Sequence, residues 1–145
     1  MPSPVSNLPW AMAASDIFAF EGRHYLVLVD YYSKYIEVTK INDFTSQDTI
    51  EALKEHLSRH SIPAKLVTDC GVQYTSKQFE TFARSYNFEH VLVSPKYPRA
   101  NREAEAAVKT VKSLWRKNND KNKALLEYRA TPRDQPLSVS TLHGT

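Results

Sequence analysis

This chain of 145 residues holds a single cysteine, Cys70, so an internal disulfide is impossible and the composition suits a reducing interior. No apolar run approaches the ~20 residues of a membrane span, which excludes a helical transmembrane protein and leaves no membrane among the expected partners. The opening MPSPVSNLPW carries neither a basic n-region nor an apolar core and does not read as a signal peptide. Residues 1–9 read instead as an extended, proline-punctuated lead-in, with Trp10 as the first anchor to a core. Internal repeats and low-complexity segments are missing as well. What is present, 41% hydrophobic and 24% charged residues, describes an ordinary globular protein. Its length fits one domain that buries roughly two-thirds of the surface its unfolded form exposes.

The net charge of +3 conceals an asymmetry. Residues 1–94 carry eight Lys/Arg against eleven Asp/Glu, a net of −3, whereas residues 95–145 carry eleven against five, a net of +6. A local basic excess beside carboxylates favours a polyanionic partner, with nucleic acid the leading candidate.

Element patterns give an order. AASDIFAF (13–20) and HYLVLVD (24–30) read as strands joined by a Glu21-Gly22-Arg23 turn, and residues 35–40 as a third strand of the same meander. Thr45 or Ser46 caps a helix running to about His60 with Ile50, Leu53 and Leu57 inward. KLVT (65–68) is a short buried strand, residues 76–86 a helix with Phe79, Phe82 and Ala83 inward, and residues 89–93 a last strand. Pro95 and Pro98 then hold a loop open, a helix runs from about Arg102 to Lys117, and residues 124–129 form one more. A meander followed by alternating helices and strands predicts an α/β fold: a five-stranded mixed sheet, antiparallel meander plus parallel strands, flanked by helices.

Three acids stand out within that order. Asp16 interrupts an apolar strand, where a charge is costly unless it is paired or bound. Asp69 follows the fourth strand, and ligand sites in open α/β sheets gather beyond the carboxyl ends of strands. Glu105 lies on the helix after the fifth strand, one step round from a buried stripe of Ala104, Val108, Val111 and Trp115. With Lys109, Lys112 and Arg116 it forms one line along that helix, a carboxylate followed by three cations. Phosphodiester chemistry with two metal ions requires carboxylates from separate elements and cations to hold phosphates, and the three acids are expected to converge at one sheet edge. Taken alone, Glu105 and Lys109 also make an ordinary surface pair, Asp16 an acid on a solvated strand, and Asp69 a turn former before Gly71. His56 and His60, four apart on their helix, have no further ligand nearby in sequence and read as structural or surface histidines.

The strings PWAMAASDIFAF, YLVLVDYYSKYIEV, VTDCGVQYTSKQF, SPKYPRANREAEAAVKTVK and ALLEYRATP resemble, in the same order, segments of the catalytic cores of retroviral and LTR-retrotransposon integrases, the gypsy type in particular. The spacing of Asp69 and Glu105, with 35 residues between them, matches the family's D…D-35-E layout. The resemblance covers about residues 9–136, marking 10–136 as the core and 137–145 as a tail, and it implies an RNase H-like fold. It implies that Asp16, Asp69 and Glu105 are catalytic and hold two Mg²⁺ ions, with Mn²⁺ able to substitute. Asn101, Lys109 and Lys112 match positions that approach DNA. The implied activity is a polynucleotidyl transfer: 3′-end processing, then strand transfer of element ends into target DNA, by a homodimer or higher oligomer in the nucleus. Departures are specific: Arg102 and Glu103 replace a usual Gly-Gln pair, and Cys70 replaces a usual Asn. With no zinc-binding module or C-terminal DNA-binding domain in the sequence, the expectation is a core alone. The alternatives are a domesticated or decayed core acting as a non-catalytic DNA- or protein-binding module, and an RNase H-type nuclease.

Overall fold

A computed structural model describes residues 9–94 and 101–131. The expected lead-in before Pro9, the Pro95–Pro98 loop and the tail after 131 lie outside the described residues. Two compact units are recognisable, Met1–Lys109 and Thr110–Thr145.

The first unit is built on a sheet of five strands in the order β3-β2-β1-β4-β5, comprising β1 (Met12–Phe20), β2 (Arg23–Asp30), β3 (Ile36–Ile41), β4 (Lys65–Thr68) and β5 (Glu89–Leu92). The pairs β1–β2 and β2–β3 are antiparallel, while β1–β4 and β4–β5 are parallel, so the expected mixed sheet is present. The first hairpin turns through Glu21 (φ 51°) and Gly22 (φ 77°), the paired positive φ angles that match the right-handed twist of a two-residue turn. In β2, Leu26 and Leu28 point one way and Val27 and Val29 the other, and all four are buried, so the strand is covered on both faces.

Helices α1 (Ser46–His60), α2 (Val72–Thr75) and α3 (Lys77–Tyr86) follow. Thr45 caps α1 by accepting the Asp48 N–H (3.1 Å), and Ser76 caps α3 by accepting the Phe79 N–H (3.1 Å). Asn87, at φ 58°, ends α3 with its N–H on the Ala83 and Arg84 carbonyls. Ile50, Leu53 and Leu57 of α1 and Phe79, Phe82 and Ala83 of α3 join Ala13, Leu26, Leu28 and Leu66 in one core, as their spacing predicts. The short α2 has no counterpart in the sequence pattern, because four residues carry no helical period.

Helix α4 (Arg102–Lys117) has the predicted bounds and crosses from the first unit into the second. Its buried stripe is Ala104, Ala107, Val111 and Trp115, while Val108 is only half-buried. The stripe therefore steps by three residues before stepping by four, both compatible with 3.6 per turn. In the second unit, α5 (Lys121–Ala130) begins earlier than its apolar residues suggest, because the Asp120 side chain accepts the Lys123 N–H (3.0 Å) and caps it. Within that unit the Lys121 ammonium stands 5.6 Å over the Trp115 ring.

Candidate metal and nucleic-acid site

The parallel ladder of β1 and β4 sets Met12, Ala13 and Ala14 against Lys65, Leu66 and Val67. Continued by two residues, that register brings Asp16 level with Asp69. Asp16 thus stands within the central strand β1, and Asp69 lies just past the carboxyl end of the neighbouring β4. Both are half-buried. Asp16 Oδ1 accepts the Ile17 N–H (2.8 Å), and Asp69 Oδ1 accepts the Gly71 N–H (2.9 Å). A Cβ at Gly71 would lie 3.1 Å from Asp69 Oδ1, so a larger residue there would push on the carboxylate by a few tenths of an ångström.

Behind the acids lies Tyr74, the one long buried side chain of α2. Its hydroxyl is 2.9 Å from Ser15 Oγ, and both residues are inaccessible to solvent. Burial raises the Tyr74 phenol well above the usual tyrosine range, the Ser15 hydrogen bond opposes that rise, and the Asp16 and Asp69 charges add to it. One phenol therefore feels both carboxylates. Sequence spacing did not single out Ser15 or Tyr74, which stand 59 residues apart; the sole clue was a hydroxyl at each of two apolar positions.

Glu105 is exposed in the first turn of α4, with its N–H donated to the Asn101 carbonyl (3.1 Å). The Asn101 side chain is buried, and its Oδ1 has no hydrogen-bond partner among the described residues. Beside them, Glu103 pairs with Lys34 at 2.8 Å. The Tyr31 phenol is raised, first by burial and then by the Glu103 charge. Among the described residues, Glu105 and Lys109 form no ion pair, and no three His, Cys, Asp or Glu side chains are grouped to hold a metal ion. The structure thus brings Asp16 and Asp69 together and does not close Glu105 onto them. Lys109, exposed, ends the first unit; Lys112, half-buried, and Arg116, exposed, belong to the second.

The donor set suits a hard divalent cation. Asp16 and Asp69 present carboxylate oxygens from adjacent strands, and among the described residues Asp69 Oδ2 is unengaged.

The two histidines of α1 belong to a separate cluster and keep structural roles, as their isolation in sequence suggests. His56 is fully buried, with Nε2 on Thr39 Oγ1 (2.5 Å) and Nδ1 facing the Arg59 guanidinium (2.7 Å). Because a guanidinium only donates, Nδ1 is the bare nitrogen and Nε2 carries the proton. His60 meets Glu37 at 2.6 Å and stacks on Trp10, with ring centroids 4.2 Å apart.

Comparison with known proteins places this geometry. The family model described as "Integrase core domain" matches residues 8–98, a span that includes Asp16 and Asp69 and stops before Glu105. An uncharacterized protein of Caenorhabditis elegans is 34% identical over 140 residues, 90% of this chain and 11% of that protein. The chain spans about a tenth or less of the length of the first curated relatives it matches. Among solved structures, the HTLV-2 integrase catalytic core domain in complex with magnesium, in a dimeric form, superposes with a TM-score of 0.65 at 25% identity, over 86% of this chain and 77% of that one. A chain from the simian T-cell lymphotropic virus intasome, in complex with PP2A regulatory subunit B56 gamma, gives a TM-score of 0.70 at 25% identity, over 92% of this chain and 48% of that one. The five-stranded mixed sheet with its flanking helices is the RNase H-like fold of those cores, and the chain belongs to the integrase core domain family.

Proposed function

We propose that this chain is the catalytic core of a metal-dependent polynucleotidyl transferase, an integrase of the LTR-retrotransposon, gypsy-like branch, that processes 3′ ends and joins them to target DNA. The observation that supports the reading is the parallel pairing of β1 and β4, whose register, carried on two residues past its last pair, puts Asp16 and Asp69 level, within a chain of the integrase core family. In this reading Asp16, Asp69 and Glu105 hold two Mg²⁺ ions, with Mn²⁺ as a substitute. When bound, such ions activate an attacking oxygen and stabilise the leaving one. The carboxylates would serve as ligands, not nucleophiles, with their side chains oriented by the Ile17 and Gly71 N–H groups. Lys109, Lys112 and Arg116 contact DNA phosphates, and Asn101 approaches DNA from the start of α4. Element ends and target DNA are the partners, a homodimer or higher oligomer the working assembly, and the nucleus the place where that substrate is met. A dimeric magnesium-bound core and an intasome among the structural neighbours support this assignment.

The test is strand joining on a branched DNA that mimics the transfer product, with Mn²⁺ and the purified chain. Joining that disappears in Asp69→Asn supports the reading. Salt-sensitive DNA binding with no joining in any divalent metal identifies a non-catalytic binding module, and cutting of RNA–DNA hybrids without joining identifies an RNase H-type nuclease.

A further inference from the structure

We infer that the Ser15–Tyr74 hydrogen bond is a positioning clamp that holds Asp16 and Asp69 in register with each other. The inference rests on the metal-binding role given to those two acids above, and Ser15 and Tyr74 are positioning residues that act through them.

The need for such a clamp follows from where the sheet stops. The backbone pairing of β1 and β4 ends at Ala14 and Val67, two residues short of the acids on both strands. Asp69 lies past the last residue of β4, so the ladder does not fix its separation from Asp16. A continuous hydrogen-bond path does. Asp69 Oδ1 accepts the Gly71 N–H (2.9 Å), the Gly71 carbonyl accepts the Tyr74 N–H (2.9 Å), and the Tyr74 hydroxyl meets Ser15 Oγ (2.9 Å). Ser15 is the residue before Asp16, whose own Oδ1 is held by the Ile17 N–H (2.8 Å). From Gly71 to Ser15 the links lie on backbone or on buried side chains, and the Asp69 carboxylate at the end of the path is half-buried. Ser15 and Tyr74 are 0% and 1% exposed, and the Tyr74 ring sits edge-on to Phe79 with centroids 5.4 Å apart.

The alternation of a strand explains why this arrangement leaves the acids reachable. Ser15 and Asp16 point to opposite faces of β1, so the serine can bury its hydroxyl against Tyr74 while the aspartate stays half-exposed. Outer groups that orient metal-binding side chains typically cost 10–100-fold in metal affinity when removed. A clamp acting only through backbone placement should fall at the lower end of that range.

The experiment titrates Mn²⁺ into the purified chain, following free Mn²⁺ by electron paramagnetic resonance, and measures Tm for each protein without metal. Asp69→Asn is the control for the site itself. If Asp69→Asn binds Mn²⁺ as the unaltered chain does, the metal-binding reading fails and takes the clamp with it. Given Asp69-dependent binding, Tyr74→Phe should weaken Mn²⁺ affinity about tenfold while lowering Tm by only about 4 °C, the scale of one lost buried hydrogen bond. Ser15→Ala should do the same, and it stands as the test if Tyr74→Phe does not fold. The double variant Ser15→Ala/Tyr74→Phe separates the roles, because removing both partners leaves no unpaired hydroxyl. Its Tm should recover most of the loss while its Mn²⁺ affinity stays about tenfold weak. Unchanged affinity in the single variants, or affinity that recovers together with Tm in the double variant, overturns the clamp while leaving the metal site intact.

Discussion

Acidifying the solution should unfold this protein partly through one residue, His56. The imidazole is fully buried between β3 and α1. Burial pushes its pKa from 6.5 down to about 4; Glu37 opposes that shift, Arg59 reinforces it, and smaller contributions come from Glu55 (upward) and His60 (downward). The folded state therefore binds fewer protons than the unfolded chain between pH 6.5 and 4. The stability that the neutral ring contributes is whole above about pH 6.5 and is lost as pH falls toward 4. Linkage from those two values gives a loss on the order of 1 kcal/mol at pH 5.5 that grows to roughly 2–3 kcal/mol at pH 4.5. His56→Gln is the matched perturbation, since the amide can still donate to Thr39 and accept from Arg59 without titrating. Urea unfolding followed by tryptophan fluorescence at pH 7, 5.5 and 4.5 gives both stabilities. The advantage of the unaltered chain over the variant should shrink by roughly 2–3 kcal/mol from pH 7 to 4.5, a midpoint difference on the order of 1–2 M urea. His90, lowered by burial, pulls the same way in both proteins and cancels in the difference. Parallel stability curves across that range would refute the reasoning.

Loss of two phosphate contacts in Lys109→Ala/Lys112→Ala should weaken DNA binding and reduce the slope of log affinity against log salt by about 2 for duplex DNA, measured by fluorescence anisotropy. An unchanged slope would remove both lysines from the interface. Phe79→Ala empties a fully buried position ringed by Tyr74, Phe82 and His90 and should cost about 3–5 kcal/mol in chemical denaturation, a much smaller loss meaning that the core collapses into the gap. Glu103→Gln breaks an ion pair whose lysine is 45% exposed, so stability should fall by less than about 1 kcal/mol, while ultraviolet titration should find the Tyr31 phenol shifted down by removal of the neighbouring charge.

How much of this could be read from the chain depends on the range of the force that fixes each feature. β4 was legible to the residue because an apolar run is bounded by Pro63 and by Asp69-Cys70-Gly71, and α4 because its period persists for four turns. The four-residue α2 was not, since it is held by tertiary contacts and the Gly71 carbonyl, not by any period of its own. Asp16 and Asp69 announced themselves as charges where apolar strands begin to open. Their partnership is a matter of register, and the parallel β1–β4 pairing that sets it joins segments about fifty residues apart. The Ser15–Tyr74 contact was invisible for a similar reason: a serine in a strand and a tyrosine in a short helix each have many uses, and only the fold makes them meet.

The departures from the family pattern bear on whether the core is sound, and the fold gives each a local answer. Glu103 adds a negative charge to the first turn of α4, yet its carboxylate meets the Lys34 ammonium at 2.8 Å, which offsets that charge where it arises. Arg102, where the family pattern has glycine, is the first residue of α4, and a residue with a Cβ there has less backbone freedom than glycine. Cys70 is exposed and leaves the Asp69–Gly71 hydrogen bond in place. Each departure thus keeps regular local geometry: the Glu103 charge has a partner, Arg102 opens a regular helix, and the turn that holds Asp69 is complete.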